Sequence, residues 1–159
     1  MTAEANLAER AASRPLTLVD VDARKWRAVA GITPRPEQQQ FVAPITYYLC
    51  LCHYGQVWHP LAVVVDGTIV GHLMWAIDET DGSRWIGGVV IDAAAQGRGI
   101  GRAALETLIG RLASEADCRE VALSYAPDNA GARRLYRRLG FEETGEHTDG
   151  EVVARRRMC

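Results

Sequence analysis

Val89-Val90-Ile91-Asp92-Ala93-Ala94-Ala95-Gln96-Gly97-Arg98-Gly99-Ile100-Gly101-Arg102 is the stretch on which the reading of this chain turns. A β-branched apolar run leads into a glycine-rich turn, and the turn opens an amphipathic helix over residues 100–114. Glycines let a backbone approach a ligand closely and adopt conformations that a Cβ forbids. The unpaired N–H groups and the dipole of a helix N-terminus attract anions, phosphates above all. Arg98 and Arg102 add fixed positive charge. Tight strand–helix packing alone is a plainer explanation of the glycines, but it does not call for the two arginines.

The phosphate ligand is narrowed by what surrounds the turn. There is no Gly-Lys-Ser/Thr, so the nucleoside-triphosphate loop is excluded. Gly99-Ile100-Gly101-Arg102-Ala103-Ala104 satisfies a relaxed dinucleotide pattern. That fold needs the turn after its first strand and an acidic residue at the far end of the next. Here the turn falls deep in the chain, and Glu120 stands at the start of the following strand.

Working outward, strands are expected over 16–21, 61–65, 68–77, 84–91 and 120–125, with a closing hairpin over 141–147 and 151–157. Asp66-Gly67, Asp81-Gly82-Ser83 and Asp149-Gly150 supply the turns. Asp22 is read as the cap of a helix over 23–30, and a second, mostly helical stretch over 37–51 must break at Pro44. On the helix after the glycine turn, Ile100, Ala104, Leu108 and Leu112 repeat every four residues along one face. Asp128 is expected to cap a last helix running to Leu139, whose inner stripe is Ala132, Leu135, Tyr136 and Leu139. The sum is one α/β domain over residues 16–159 behind an N-terminal tail, residues 1–15.

Composition sets the outer bounds. The 159 residues are 48% hydrophobic and 24% charged, ordinary for a globular protein, with a net charge of -2. That charge gives no basic footprint for nucleic acid. No apolar run approaches the ~20 residues of a membrane span, and the N-terminus lacks the apolar core of a secretory signal. Cys50, Cys52, Cys118 and Cys159 read as free thiols in a reducing cytoplasm. A metal site from Cys50, Cys52, His53 and His59 lacks paired CxxC spacing, so no metal is expected.

A second segment, Asp128-Asn129-Ala130-Gly131-Ala132-Arg133-Arg134-Leu135-Tyr136-Arg137-Arg138-Leu139-Gly140-Phe141, completes the pattern. Together the two segments resemble the GNAT superfamily of acyl-CoA-dependent N-acyltransferases. Its pyrophosphate loop reads Gln/Arg-x-x-Gly-x-Gly/Ala, matched by residues 96–101, and its later Asn-x-x-Ala…Leu-Tyr-x-x-x-Gly-Phe is matched by Asn129, Ala132, Leu135, Tyr136, Gly140 and Phe141. The likeness spans residues 16–158. It implies a mixed, mostly antiparallel twisted sheet with helices on both faces, in which two parallel strands, ending near Ile91 and Tyr125, splay apart to admit acetyl-CoA.

The resemblance implies roles as well. The pantetheine arm would pair with the backbone around Val89, Val90 and Ile91. The pyrophosphate would rest on Gln96, Gly97, Arg98, Gly99, Ile100 and Gly101, with Arg102 alongside. Tyr136 would protonate the leaving thiolate, although its place on the inner stripe also gives it a packing role. Asn129 either bonds the cofactor arm or caps its helix. A carboxylate acting through water would take the proton of the attacking amine, and Asp78, Glu79, Asp92, Glu142 and Glu143 stay open as candidates. Arg133 or Arg134 either meets the 3′-phosphate of CoA or belongs to a solvated face.

Three further stretches are similar to bacterial diamine/polyamine acetyltransferases: Glu37-Gln38…Phe41-Val42-Ala43, His72-Leu73-Met74 and Gly145…Asp149-Gly150-Glu151-Val152-Val153. The acceptor implied is a small-molecule amine such as spermidine or spermine. Tyr47, Tyr48, Tyr54, Trp58 and Trp75 either line that site or pack the N-terminal helices. Such enzymes often carry an Arg-Phe pair on the strand before their Ile-Asp, where this chain has Gly87-Gly88-Val89-Val90, a departure that bears on the acceptor pocket. The alternatives are another acceptor (an aminoglycoside, amino acid or protein amine) or a non-catalytic acyl-CoA sensor. A homodimer, paired through the closing hairpin, is the family expectation.

Overall fold

The computed structural model describes residues 15–159, and all but Pro15 of the expected tail lies outside them. The elements run β1 (Leu16–Asp20), α1 (Trp26–Ala30), a 3-10 turn (Pro36–Phe41), α2 (Ile45–Gly55), β2 (His59–Val65), β3 (Thr68–Ile77), β4 (Arg84–Ile91), a short 3-10 turn (Ala93–Ala95), α3 (Ile100–Ala113), β5 (Glu120–Tyr125), α4 (Ala130–Arg138), β6 (Glu142–Thr148) and β7 (Glu151–Arg157). The strands form one sheet in the order β1-β2-β3-β4-β5-β7-β6. Every neighbouring pair is antiparallel except β4 and β5.

Alternation along the strands divides the sheet's two faces. Leu61, Val63, Leu73, Ile86, Val121 and Leu123 face α3, where they meet Leu105, Leu108 and Leu112 in the larger core. Ala62 and Val90 point the other way, against Val29, Ile32 and Ile45 beneath α1 and α2. The four-residue stripe of α3 is therefore buried as its spacing requires. Each of those leucines contributes roughly 1.5–3 kcal/mol on leaving water.

The turns follow their residue types. Asp66-Gly67 and Asp149-Gly150 both hold positive φ at both positions, which suits the right-handed twist of a two-residue hairpin. Helix starts depart from expectation by small steps. The Asp22 carboxylate accepts from Arg24 N at 2.9 Å and Lys25 N at 3.0 Å, but this closes a turn, and α1 begins only at Trp26. Asn129, not Asp128, caps α4: its Oδ1 accepts from Ala132 N at 3.2 Å. Both side chains can cap, and the one three residues before a free amide does so. Pro44 separates the 3-10 turn from α2 as its missing N–H requires.

All four cysteines are free; Cys50 is exposed and Cys52 is buried against the Met74 sulfur at 3.7 Å, so those two thiols diverge. Among the described residues no helix is long and apolar enough to cross a membrane. β6 forms the outer edge of the sheet and is exposed along its whole length.

Candidate active site

β4 and β5 pair only through Arg84–Val121, Trp85–Ala122 and Ile86–Leu123. Beyond Ile86 the two strands part, and β4 runs on to Ile91 bonded to β3 alone. A cleft of about 840 Å³ opens at the parting. Val89, Val90 and Ile91 line it, with no strand on their β5 side.

At one end of the cleft lies the glycine turn. Gly97 (φ +79) and Gly99 (φ +75) are left-handed, a region other residues reach only with strain. Gly99 is the N-cap of α3 and offers no side chain, so among the described residues no side chain caps the first-turn amides of α3. Such amides, with the helix dipole behind them, form an anion cradle. The turn is braced from behind. Gln96 Nε2 donates to Ile91 O at 2.9 Å, and Gln96 and Gln38 exchange side-chain bonds at 2.9 and 2.7 Å. Asp92 accepts from Ala94 N and from Thr33 N.

Gln96, Gly97, Gly99, Ile100, Gly101 and Arg102 all line the cleft, as do Asn129 and Tyr136 across from them. Arg98 does not: its side chain is exposed and stays outside the lining. Arg102 is held by Glu106 at 2.9 Å on the helix surface. The Asn129 carbonyl oxygen serves as the α4 cap, leaving its amide nitrogen the free end.

The Tyr136 ring packs at 5.5 Å from Tyr125 and 6.1 Å from Phe141. Among the described residues its hydroxyl has no hydrogen-bond partner. Burial, with the Glu151 carboxylate adding to it, pushes that hydroxyl up to about 12, so it stays protonated at neutral pH.

The carboxylates sort themselves by partner. Glu143 is engaged by Tyr125 Oη at 2.6 Å and Arg133 Nε at 2.8 Å. Asp92 is committed to the loop. Glu79 and Glu142 lie outside the lining of the cleft, whereas Asp78 lines it together with Asp149 and Glu151. Glu151 opens β7, and its charge adds to the burial that raises the pKa of both the Tyr136 and the Tyr48 hydroxyl. Glu151 has no local signal for an acid–base role, because its placement is purely tertiary: the closing hairpin carries it back to the cleft. Arg133 bonds Glu143 through Nε, which engages one of its five N–H donors.

The aromatic residues divide too. Tyr48 and Trp58 line the cleft, Trp75 packs on the α3 side of the sheet, and Tyr47 and Tyr54 are exposed. Trp85, the middle of the three residues that β4 pairs with β5, joins the wall and carries no local sequence signal for doing so. A Cβ on Gly87 would stand 3.3 Å from the Trp58 ring and 3.2 Å from Met74 Cε. The glycine therefore makes room for Trp58 against the strand.

Residues 21–141 match the Acetyltransferase (GNAT) family. Over 109 residues the chain is 35% identical to the spermine/spermidine N(1)-acetyltransferase of Bacillus subtilis (strain 168), covering 64% of this chain and 70% of that protein. Its fold is similar to that of aminoglycoside acetyltransferase AAC(6′)-Ib in complex with coenzyme A (TM-score 0.72, 19% identity, 90% of this chain and 95% of that one). It is also similar to ribosomal-protein-S18-alanine N-acetyltransferase from Escherichia coli (TM-score 0.69, 20% identity, 91% and 94%).

The chain belongs to the GNAT family of acetyltransferases, with the mixed sheet and single parallel pair expected of it. That makes it an acetyl-CoA-dependent N-acetyltransferase acting on amines.

Proposed function

We propose that the enzyme acetylates a primary amine of a small polycationic molecule, spermidine or spermine being the acceptor class. The observation that carries this reading is the continuity of the cleft. It is lined by the cradle of helix amides and also by Asp78, Asp149 and Glu151, together with Tyr48, Trp58 and Trp85. Carboxylates and aromatic faces both hold alkylammonium groups. The similarity to a spermine/spermidine acetyltransferase supports the same class.

Each residue then has a task. The amides of residues 96–101 hold the pyrophosphate, Arg102 adds charge beside them, and the free edge of Val89, Val90 and Ile91 receives the pantetheine arm. Arg98, outside the lining, contributes its backbone. Acetyl-CoA supplies a thioester whose carbonyl is open to direct attack. Glu151, through water, takes one proton from the acceptor ammonium so that its lone pair forms the C–N bond. Amide N–H groups of β4 stabilise the developing oxyanion. As the C–S bond breaks, Tyr136 donates its proton to the thiolate, and the second proton, shed by the nitrogen as it becomes an amide, passes through water to restore the hydroxyl. The Asn129 amide nitrogen bonds the cofactor arm.

The test is thiol release from acetyl-CoA across polyamines, aminoglycosides, amino acids and short peptides. Fastest turnover with spermidine or spermine is expected. Turnover confined to another amine class overturns the acceptor while leaving the chemistry standing.

A further inference from the structure

β4 is not a straight strand. His72 on β3 faces Val90 and Met74 faces Gly87, so two steps on β3 are answered by three on β4. The surplus falls at Gly88, whose φ of +57 is left-handed. A bulge of this kind bends a strand and sharpens its twist. It sits just beyond Ile86, the last residue that β4 pairs with β5.

One side chain holds that bulge. His72 is fully buried, and its Nδ1 lies 2.7 Å from the Gly88 carbonyl oxygen. An acceptor at that distance requires the proton to be on Nδ1. Nε2 is then a bare lone pair, buried and without a partner among the described residues. The ring is stacked on Tyr48 at 5.9 Å and 12°, and the Tyr48 hydroxyl is itself fixed by Ala43 N at 3.0 Å. A Cβ on Gly88 would come within 3.1 Å of His72 Cε1 and 3.3 Å of Tyr48 Cγ. The two rings are fitted to a glycine. Burial keeps the imidazole neutral by lowering its pKa. As apolar filling, histidine is a poor choice, since half of its polar capacity goes unmet; the bond to Gly88 is what distinguishes it from leucine.

We propose that His72 is the positioning residue of the acyl-transfer strand: its Nδ1–H locks the Gly88 carbonyl and thereby aims the next amide, Val89 N–H, away from His72 and into the cleft. The C=O and N–H of one planar trans peptide point in opposite directions, so fixing one fixes the other. Val89 lines the cleft where β5 has left. The catalytic consequence rests on the proposed use of β4 amides at the thioester; the bulge lock does not.

Three variants test the inference. Asn places a side-chain N–H where the Nδ1–H stands, Gln places one a bond further out, and Leu has none. His72→Asn is expected to keep kcat within about threefold. His72→Gln and His72→Leu are expected to lose at least roughly tenfold in kcat, short of the 10²–10³ for deleting an oxyanion donor, with the acceptor KM nearly unchanged. Wild-type kcat in either of the latter, or a change confined to KM, overturns the inference. Nitrogen-15 NMR of the histidines in the intact wild-type protein gives a readout independent of activity and of how the variants fold. The proton must be on Nδ1 of His72; finding it on Nε2 ends the argument. A wild-type protein inactive with every amine would count against the reading of the cleft, and the tautomer would still decide the lock.

Discussion

Gln38 and Gln96 bond each other twice, the side-chain amide of each donating to the carbonyl oxygen of the other. Fifty-eight residues separate them, and the pair ties the 3-10 turn of Pro36–Phe41 to the glycine loop. Gln96 also reaches back to Ile91 O. The loop is thus shaped before any anion arrives, which spares the ligand the cost of ordering it.

Removing half of this brace should loosen the loop without unfolding the sheet. Gln38→Ala deletes both bonds to Gln96, of about 1 kcal/mol each, and the one Gln38 Oε1 accepts from Arg35 N at 3.2 Å. CoA affinity by titration calorimetry is expected to fall roughly five- to thirtyfold, with kcat at saturating acetyl-CoA little changed. Unaltered affinity would separate the brace from the cradle.

Gly99 offers a cleaner test of backbone conformation. Its φ is +75 and nothing lies within 4 Å of an added Cβ, so Gly99→Ala introduces strain and no clash. A stability loss of about 1–2 kcal/mol is expected, seen as a lower midpoint in urea. CoA binding should weaken if the loop relieves that strain by moving.

Arg84 sits buried at the start of β4, with Glu115 Oε2 at 2.7 Å, Asp117 Oδ1 at 2.7 Å and Gly82 O at 2.7 Å. Both carboxylates reach solvent, so removing the arginine strands no buried charge. Arg84→Ala should cost about 2 kcal/mol, the range for hydrogen bonds to charged groups, and leave CoA affinity intact.

The Tyr136 hydroxyl predicts an alkaline limit to stability. Its pKa is raised from 10 to about 12 in the folded state, by burial first and by Glu151 second. A raised pKa means that the folded state resists losing the proton. The contribution is therefore complete below pH 10 and lost as pH rises through 10 to 12. Two units correspond to on the order of 2 kcal/mol. Thermal melts from pH 9 to 11.5 should show a smaller alkaline loss for Tyr136→Phe than for the wild type. The remainder belongs to the other groups whose pKa burial raises, Tyr48, Tyr125, Cys52 and Cys118.

Much of this was legible in the sequence. Asp-Gly turns, the four-residue stripe of α3 and the glycine turn after Ile91 are local signals, and the strands they bound came out within a residue or two. What escaped was tertiary. Glu151 and Trp85 reach the cleft only because of where β7 and β4 lie in the sheet. Tyr47 and Tyr54 share a helix with Tyr48, and composition alone could not tell which of the three faces inward. Arg98 sits among the glycines, yet its side chain points out of the cleft that its neighbours line.

The most direct test of the account is the rate of Tyr136→Phe measured beside its affinity for CoA. If Tyr136 is the acid of an acetyltransferase, kcat falls by roughly 10²–10⁴ while CoA binds as before. A variant that keeps the wild-type rate, or a wild-type protein that binds CoA but turns over no amine, would contradict it.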